Sequence, residues 1–545
     1  MKASKEISFS IDDNISQDES ALPTQVSYVI KKNLFRDRLL FFLIIALSAV
    51  LRFYEFPSLP SGLSSDEVSA GYESYALLLH GTDRWGNKFP VYFPGWGSGQ
   101  NVLLSYINIP FIKLFGLTAF AERLSSALLG VLTIVVFYAF MKKWYGTRIA
   151  LIAALFLGTY PWHITISRYS LESNIFPCFI LLGIASLSYC YTSKYSRILI
   201  PFSLLFLAVS FYAYGVSIIV IPGILALYFF FTSKKAIWQN KIAFVLSLMI
   251  FLLIASPFFL FILDNFILHR TPSIIQHLPF TVPLLISSRL AQVSAGQNIL
   301  ALNTSYLIGQ AINPLVPGIG LITLPWVPIG IYYSLRTRNV YANLLVIWLV
   351  ATIPFFFLFP ADISRINAVF IPLIGLSAIG ISGLYDEISK HDVKKAFLSL
   401  VLATAILYNG LFCFNYFSYY NKQASSAFNG GFDIALAHAT SSASAKEPIY
   451  VSGLLSPHLS FVYVLFFLKI DPVDFQKHSS VVEAYGTYEV LQYRKYYFYP
   501  RERGLISSPS FVGILKGQER LICKSTQTLY TGGGWKVVRC FNKRK

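Results

Sequence analysis

Residues 101–117, NVLLSYINIPFIKLFGL, decide how the whole chain is threaded. The run is nearly long enough to cross a bilayer, which takes about 20 apolar residues. Counted as a span, it sends Lys142 and Lys143 to the side opposite Lys31, Lys32, Arg36 and Arg38, and it inverts every later basic cluster. Asn101, Ser105 and Asn108 fall on one helical stripe, and Pro110 and Lys113 interrupt the rest. The segment therefore reads as an amphipathic helix lying at the outer interface of a membrane.

Outward from it, segments 39–55, 122–141, 149–164, 173–192, 198–214, 215–233, 242–263, 318–335, 340–358, 367–385 and 396–417 are the expected spans, about eleven in all. With residues 1–38 in the cytoplasm, they place Lys142, Lys143 and Arg148, then Lys194 and Arg197, Lys234, Lys235 and Lys241, Arg336 and Arg338, and Lys390, Lys394 and Lys395 inside. Composition agrees: of 545 residues, 55% are hydrophobic and 13% charged, which is the membrane class. The net charge of +18 is carried by these topology clusters, so nucleic acid is not an expected partner.

The expected fold class is an all-α polytopic membrane bundle with amphipathic surface helices in its first outer loop and a small α/β soluble C-terminal domain. Residues 1–38 read as a disordered cytoplasmic tail without a cleavable signal, 39–417 as the membrane domain with its first outer loop at 56–121, and 418–545 as an extracytoplasmic domain. Strand-like runs at 448–453, 511–515, 519–523 and 535–541 mark that domain. No repeat of 20–50 residues is visible. Cys178, Cys190 and Cys413 lie in spans as inert apolar residues, whereas Cys523 and Cys540 sit on adjacent expected strands and pair if that compartment is oxidising. A multi-pass location in a prokaryotic inner membrane suits these features.

Chemistry gathers on the outer side. The first outer loop has Pro57, Pro60 and Gly62, then Ser64-Ser65-Asp66-Glu67 opening a helix at 67–80 along which Val68, Tyr72, Tyr75 and Leu79 recur. Ser64 and Glu67 have the spacing of a capping box. The same turn also suits a carboxylate held at the membrane surface as a general base, and a capped helix start would fix its direction. Further outer loops bring His163, Arg168 and Glu172 (161–172), His269, Arg270, His277 and Arg289 (264–317), and Asp362 and Arg365 (359–366). His269 and His163 are the candidates for a divalent metal, although no HxxxH or HxH spacing is present. Asn303-Thr304-Ser305 matches a glycosylation acceptor. The chain has no P-loop, no GxGxxG opening a helix and no serine-nucleophile elbow.

From Arg52 to Asn174 the chain resembles the protein O-mannosyltransferase and aminoarabinose-transferase group (glycosyltransferase families 39 and 83), membrane glycosyltransferases of the GT-C fold. The resemblance rests on Arg52-Phe53, Asp66-Glu67, Gly81-Thr82-Asp83-Arg84-Trp85-Gly86 with Pro90, and Tyr106 to Phe115-Gly116. It continues through Glu122-Arg123-Leu124-Ser125-Ser126-Ala127-Leu128-Leu129-Gly130 and Pro161-Trp162-His163 to Ser167-Arg168. It implies a polyprenyl-phosphate-linked sugar as donor and a hydroxyl on a protein, glycan or lipid as acceptor, outside the membrane. Asp66 takes the general-base role with Glu67 beside it. Glu172 stands where the family has a second acidic residue, usually aspartate. For the donor phosphate the candidates are Arg365 first, then Arg168, Arg270 and Arg289, with Lys88 near the family's basic residue before a proline pair, of which only Pro90 is present. The competing class is a transporter or flippase of lipid-linked sugars. Transporters usually place ionisable groups near the bilayer midplane, and this chain gathers its own on one face.

Overall fold

A left-handed backbone at Gly146, φ 82°, breaks the long apolar helix Ala119–Thr159 into two legs. The break falls within the basic run Lys142, Lys143 and Arg148, so the chain turns back through the bundle there. The ends of both legs far from the break share one side. Arg123 at the start donates to the carbonyl of Pro57, while Gly158 at the end accepts from Arg52, five residues before Pro57 in the chain.

The computed structural model describes residues 24–94, 99–189, 196–232, 241–263, 299–312, 320, 322–453, 455, 459–484, 487–498 and 508–542. In chain order its helices are α1 (Thr24–Phe53), α2 (Ser65–His80), α3 (Leu103–Phe115), α4 (Ala119–Thr159), α5 (Pro161–Ile166), α6 (Glu172–Tyr189) and α7 (Ser196–Val209). They continue with α8 (Ser217–Phe231), α9 (Lys241–Ile262), α10 (Ile299–Ile312), α11 (Val327–Arg336), α12 (Leu344–Leu358), α13 (Asn367–Glu387) and α14 (His391–Asn415). Among the described residues, α4, α6, α9, α13 and α14 are long and apolar enough to cross a membrane. Helix α13 is buried along nearly its whole length and forms the central pillar. Helix α14 is peripheral, with Leu400, Ile406, Leu407 and Phe414 exposed as lipid-facing residues would be.

Several expectations change. Helix α1 starts at Thr24, inside the stretch read as a disordered tail. No proline or glycine lies between Pro23 and Phe53, and extending an existing helix costs far less than starting one. The run 318–335 becomes a 3-10 turn, Leu324–Trp326, and the short helix α11, because Pro325 and Pro328 interrupt it. Helix α10 lies in the segment read as an outer loop, where Asn303, Thr304 and Ser305 hid its apolar pattern. Asn303 is buried: its Nδ2 donates to the carbonyls of Phe356 and Phe359 and its Oδ1 accepts from Ala361 N, so it is no glycosylation acceptor.

Helix α3, at 13 residues, is about 20 Å long, short of a bilayer core. Its polar stripe points inward rather than toward water: Ser105 donates to Ala70 O and Asn108 to Glu122 O, while Leu114 and Phe115 are exposed. Helix α2 is buried on two sides. Ala70 packs into the bundle core, whereas Val68 and Tyr72 belong to the core of the C-terminal domain.

That domain adds α15 (Asn421–Ala427), α16 (Phe432–Ser442), α17 (Ser460–Phe467) and α18 (Pro472–His478) to strands β3 (Ile449–Val451), β4 (Ser479–Ala484), β5 (Thr487–Tyr493), β6 (Tyr496–Phe498), β7 (Ser510–Lys516), β8 (Ser525–Gly532) and β9 (Trp535–Phe541). The strands form one mixed sheet in the order β4-β5-β6-β3-β7-β9-β8, with β3 parallel to both its neighbours. Side chains alternate across it: Ile449 and Val451 face α16 and α17, and Tyr450 faces the opposite cluster with Phe511 and Val538. The run 519–523 is not a strand. It is held against the sheet by Glu519, which accepts from Ser452 Oγ and Lys516 N, and by a disulfide between Cys523 and Cys540. The bridge joins residues 17 apart in sequence. Closing a loop of that length constrains the unfolded chain by about 3 kcal/mol. Cys523→Ser, or reduction, should therefore lower the thermal unfolding midpoint of this domain, read by scanning calorimetry of the purified protein with and without reductant.

Candidate active site

Helix α2 begins where Ser64 Oγ accepts from Glu67 N and Glu67 Oε2 accepts from Ser64 N, a complete capping box. Glu67 does more than cap. Its carboxylate is fully buried and also accepts from Arg123 Nε at 2.7 Å, Arg123 Nη2 at 3.0 Å and Ser170 N at 3.0 Å. Arg123, equally buried, spends its remaining donors on the carbonyls of Pro57, Pro60 and Gly62. One ion pair thus fastens the proline turn, the start of α2, the start of α4 and the loop before α6. Glu67 is thereby fully engaged in structure.

Asp66 is the carboxylate this arrangement leaves over. Among the described residues nothing donates to its side chain, which reaches solvent although protein surrounds it. That burial, together with the charge on Glu67, raises its carboxyl above the ordinary aspartate range. Two consecutive residues of the short hairpin β1 (Tyr92–Phe93) and β2 (Gln100–Asn101) tie it to the next group: Gln100 Nε2 donates to Asp66 O, and Asn101 N donates to Glu172 Oε2 at 2.8 Å. Glu172 opens α6, and its charge interacts with that of Asp66. Arg365 and Asp362 arrive from the loop before α13. Asp362 Oδ1 accepts from Ser364 N and Arg365 N, and Arg365 Nε pairs with Asp362 at 2.9 Å. Arg365 Nη1 donates to Pro360 O; Nη2 has no partner among the described residues. Tyr214 lies within reach of both groups, since the charges of Asp362, Glu172 and Arg365 all act on it.

The structure thus brings Asp66, Glu172 and Arg365 into one region and gives other candidates different tasks. Arg168 is buried, and its Nη atoms donate to the carbonyls of Leu51, Arg52, Tyr54 and Leu59, capping the end of α1. Lys88 is exposed beside Thr82, at the opposite end of α2 from Asp66. His163 is buried, and its Nδ1 accepts from Arg52 Nη2 at 2.6 Å, an arginine being only a donor. Among the described residues no group of three or more His, Cys, Asp or Glu is placed to hold a metal. His269, Arg270, His277 and Arg289 lie outside the described residues.

The motif Gly81-Thr82-Asp83-Arg84-Trp85-Gly86 is a folded turn. Gly81 closes α2 in a left-handed conformation, Asp83 accepts from Trp85 N and Asn87 N, and Arg84 makes a buried pair with Glu73. Trp85 packs on Phe461, Phe475 and Tyr488 of the C-terminal domain. At the other end of α2, Tyr463 Oη donates to Leu63 O, three residues before Asp66. The domain therefore braces α2 at both ends.

A membrane bundle is roofed by a long first loop, and a mixed-sheet domain packs on that loop. Residues 101–261 match the dolichyl-phosphate-mannose-protein mannosyltransferase family. The crystal structure of ArnT from Cupriavidus metallidurans in the apo state superposes with a TM-score of 0.55 at 15% identity, covering 91% of this chain and 97% of that one. The same protein bound to undecaprenyl phosphate gives 0.54 at 15% identity, with the same coverage of 91% and 97%. The archaeal oligosaccharyltransferase AglB from Archaeoglobus fulgidus, in complex with an inhibitory peptide and a dolichol-phosphate, gives 0.51 at 13% identity over 80% of this chain and 64% of that one. No curated protein matches the sequence. Residues 101–261 are thus similar to that mannosyltransferase family, and the chain as a whole shares the fold of ArnT and AglB.

Removing one partner of the buried Glu67–Arg123 pair leaves the other charge uncompensated, at a cost of about 3–5 kcal/mol. Arg123→Ala and Glu67→Gln should each lower the thermal midpoint of the purified protein by several degrees. An unchanged midpoint would show that the pair does not hold the site together.

Proposed function

We propose that this protein is a membrane glycosyltransferase of the GT-C fold, which moves a sugar from a polyprenyl-phosphate-linked donor to an acceptor hydroxyl on the outer face of the membrane, with inversion at the anomeric carbon. The observation that carries the reading is Asp66: a carboxylate reaching solvent, free of donors among the described residues, two residues from a capped helix start and beside Glu172. A base in that position takes the proton of the acceptor hydroxyl as its oxygen attacks C1 of the sugar. The bond from C1 to the phosphate oxygen breaks, and the phosphate leaves with the electron pair. A phosphate needs charge stabilisation more than a proton, and Arg365 offers its Nη2 edge. Direct displacement by one base, with no enzyme nucleophile, is what gives inversion.

Incubation of the purified protein with labelled polyprenyl-phosphate sugars tests the reading by asking which is consumed and where the label goes. Asp66→Asn should reduce transfer by about 10²-fold or more while membrane insertion stays normal. Full transfer by that variant removes Asp66 from the base role. The pH profile supplies a second check. The base works ionised, and burial raises its pKa, so kcat/KM should fall with decreasing pH along a limb lying above the ordinary aspartate value of about 3.9. A limb at or below that value would point to a different base.

A further inference from the structure

Helix α6, which carries Glu172 at its start, contains a proline in its second turn. In an α-helix the N–H of residue 177 would bond the carbonyl of residue 173, and Pro177 has none. Ser173 O, fully buried beside Glu172, is therefore short of its helical donor. Asn367 supplies it: Nδ2 donates to Ser173 O at 3.0 Å and reaches Asn174 Oδ1 at 3.4 Å. Its Oδ1 accepts from the indole N–H of Trp162 at 2.7 Å, and Trp162 stacks on Phe370, three residues further along α13, with centroids 4.3 Å apart. Asn367 is 1% exposed, begins α13, and follows Arg365 by two residues.

We infer that Asn367 is a positioning residue that sets the relation between Glu172 and Arg365 by replacing the donor that Pro177 lacks. One amide joins the first turn of α6 to the strap bearing Arg365, with Trp162 fixing the ring of bonds from the third side. No titratable group takes part, so the clamp holds at any pH at which the protein is folded. A hydrophobic residue at 367 would leave Ser173 O and the Trp162 N–H unsatisfied inside the bundle, where each orphan costs more than in water. The inference rests on the reading of Glu172 and Arg365 as parts of one transfer site, and its test separates the two.

The test uses Asn367→Ala, Asn367→Asp, Pro177→Ala and the double variant Asn367→Ala/Pro177→Ala in the full chain. Alanine at 177 restores an N–H to Ser173 O from within the helix, without touching residue 367. Amide hydrogen exchange over residues 172–180 is read first, because it does not depend on activity. Exchange in Asn367→Ala should be about tenfold faster or more, and the double variant should regain protection. Transfer from a labelled polyprenyl-phosphate sugar should follow. Turnover at saturating donor should fall about tenfold or more in Asn367→Ala and in Asn367→Asp, and stay low in the double variant, which mends the helix but not the link to the strap; a double variant that turns over like wild type overturns the inference. Unchanged exchange in Asn367→Ala, or a double variant no better protected than the single one, overturns the inference. So does exchange that responds while turnover does not. A wild-type protein that transfers no sugar while its exchange responds as expected would count against the proposed function alone.

Discussion

The bond between Glu67 and Arg123 is the constraint on which the site depends. Each of the five N–H groups of Arg123 has an acceptor, two on Glu67 and three on the carbonyls of Pro57, Pro60 and Gly62. Each oxygen of Glu67 accepts twice. A buried ion pair repays its desolvation only when its remaining donors and acceptors are satisfied, and here all of the arginine's are. The consequence is geometric. The proline turn cannot shift against α4, α2 cannot rotate about its first turn, and Asp66 is held where α2, β2 and α6 meet.

A second theme is the supply of hydrogen bonds that prolines remove. Apolar helices with internal proline are tolerated in membranes when side chains satisfy the freed carbonyls. Asn367 does this for Ser173 O opposite Pro177, and Asn303 does it for Phe356 O, whose helical donor would have been Pro360. Both asparagines are buried, and both sit beside the loop 359–366 that carries Arg365. The flexible-looking strap is thus anchored at each end by an amide. Arg168 extends the same logic to α1, taking up carbonyls at its end that no backbone N–H reaches.

The C-terminal domain is more than an appendage. Its core is continuous with Val68 and Tyr72 of α2 and Ile112 of α3. Tyr72 Oη donates to Ile470 O, Tyr463 reaches Leu63 O, and Gln476 Nε2 donates to Arg84 O. Helix α2 is consequently a layer between bundle and sheet, which explains why glycine stands at position 71: a Cβ there would meet Phe466 at 2.7 Å and Glu122 Oε2 at 2.9 Å.

Much of this protein was legible in residue order alone. Charge clusters and apolar runs set the membrane class and the turn at Lys142–Arg148, because insertion energetics depend on composition and length. Capping-box spacing located the start of α2, since that contact is local. What the sequence could not decide is which polar residue works and which holds. Asp66 and Glu67 are neighbours with the same charge, and only the arrival of Arg123 from 56 residues away commits one of them to structure. Likewise Arg168 and Arg365 look alike as outer-loop cations until one is found spent on four carbonyls and the other with an Nη2 that has no partner among the described residues. The polar stripe of α3 meets the same limit. Ser105 and Asn108 are satisfied by carbonyls of α2 and α4 rather than by water, and a partner brought in by tertiary packing leaves no mark on local periodicity.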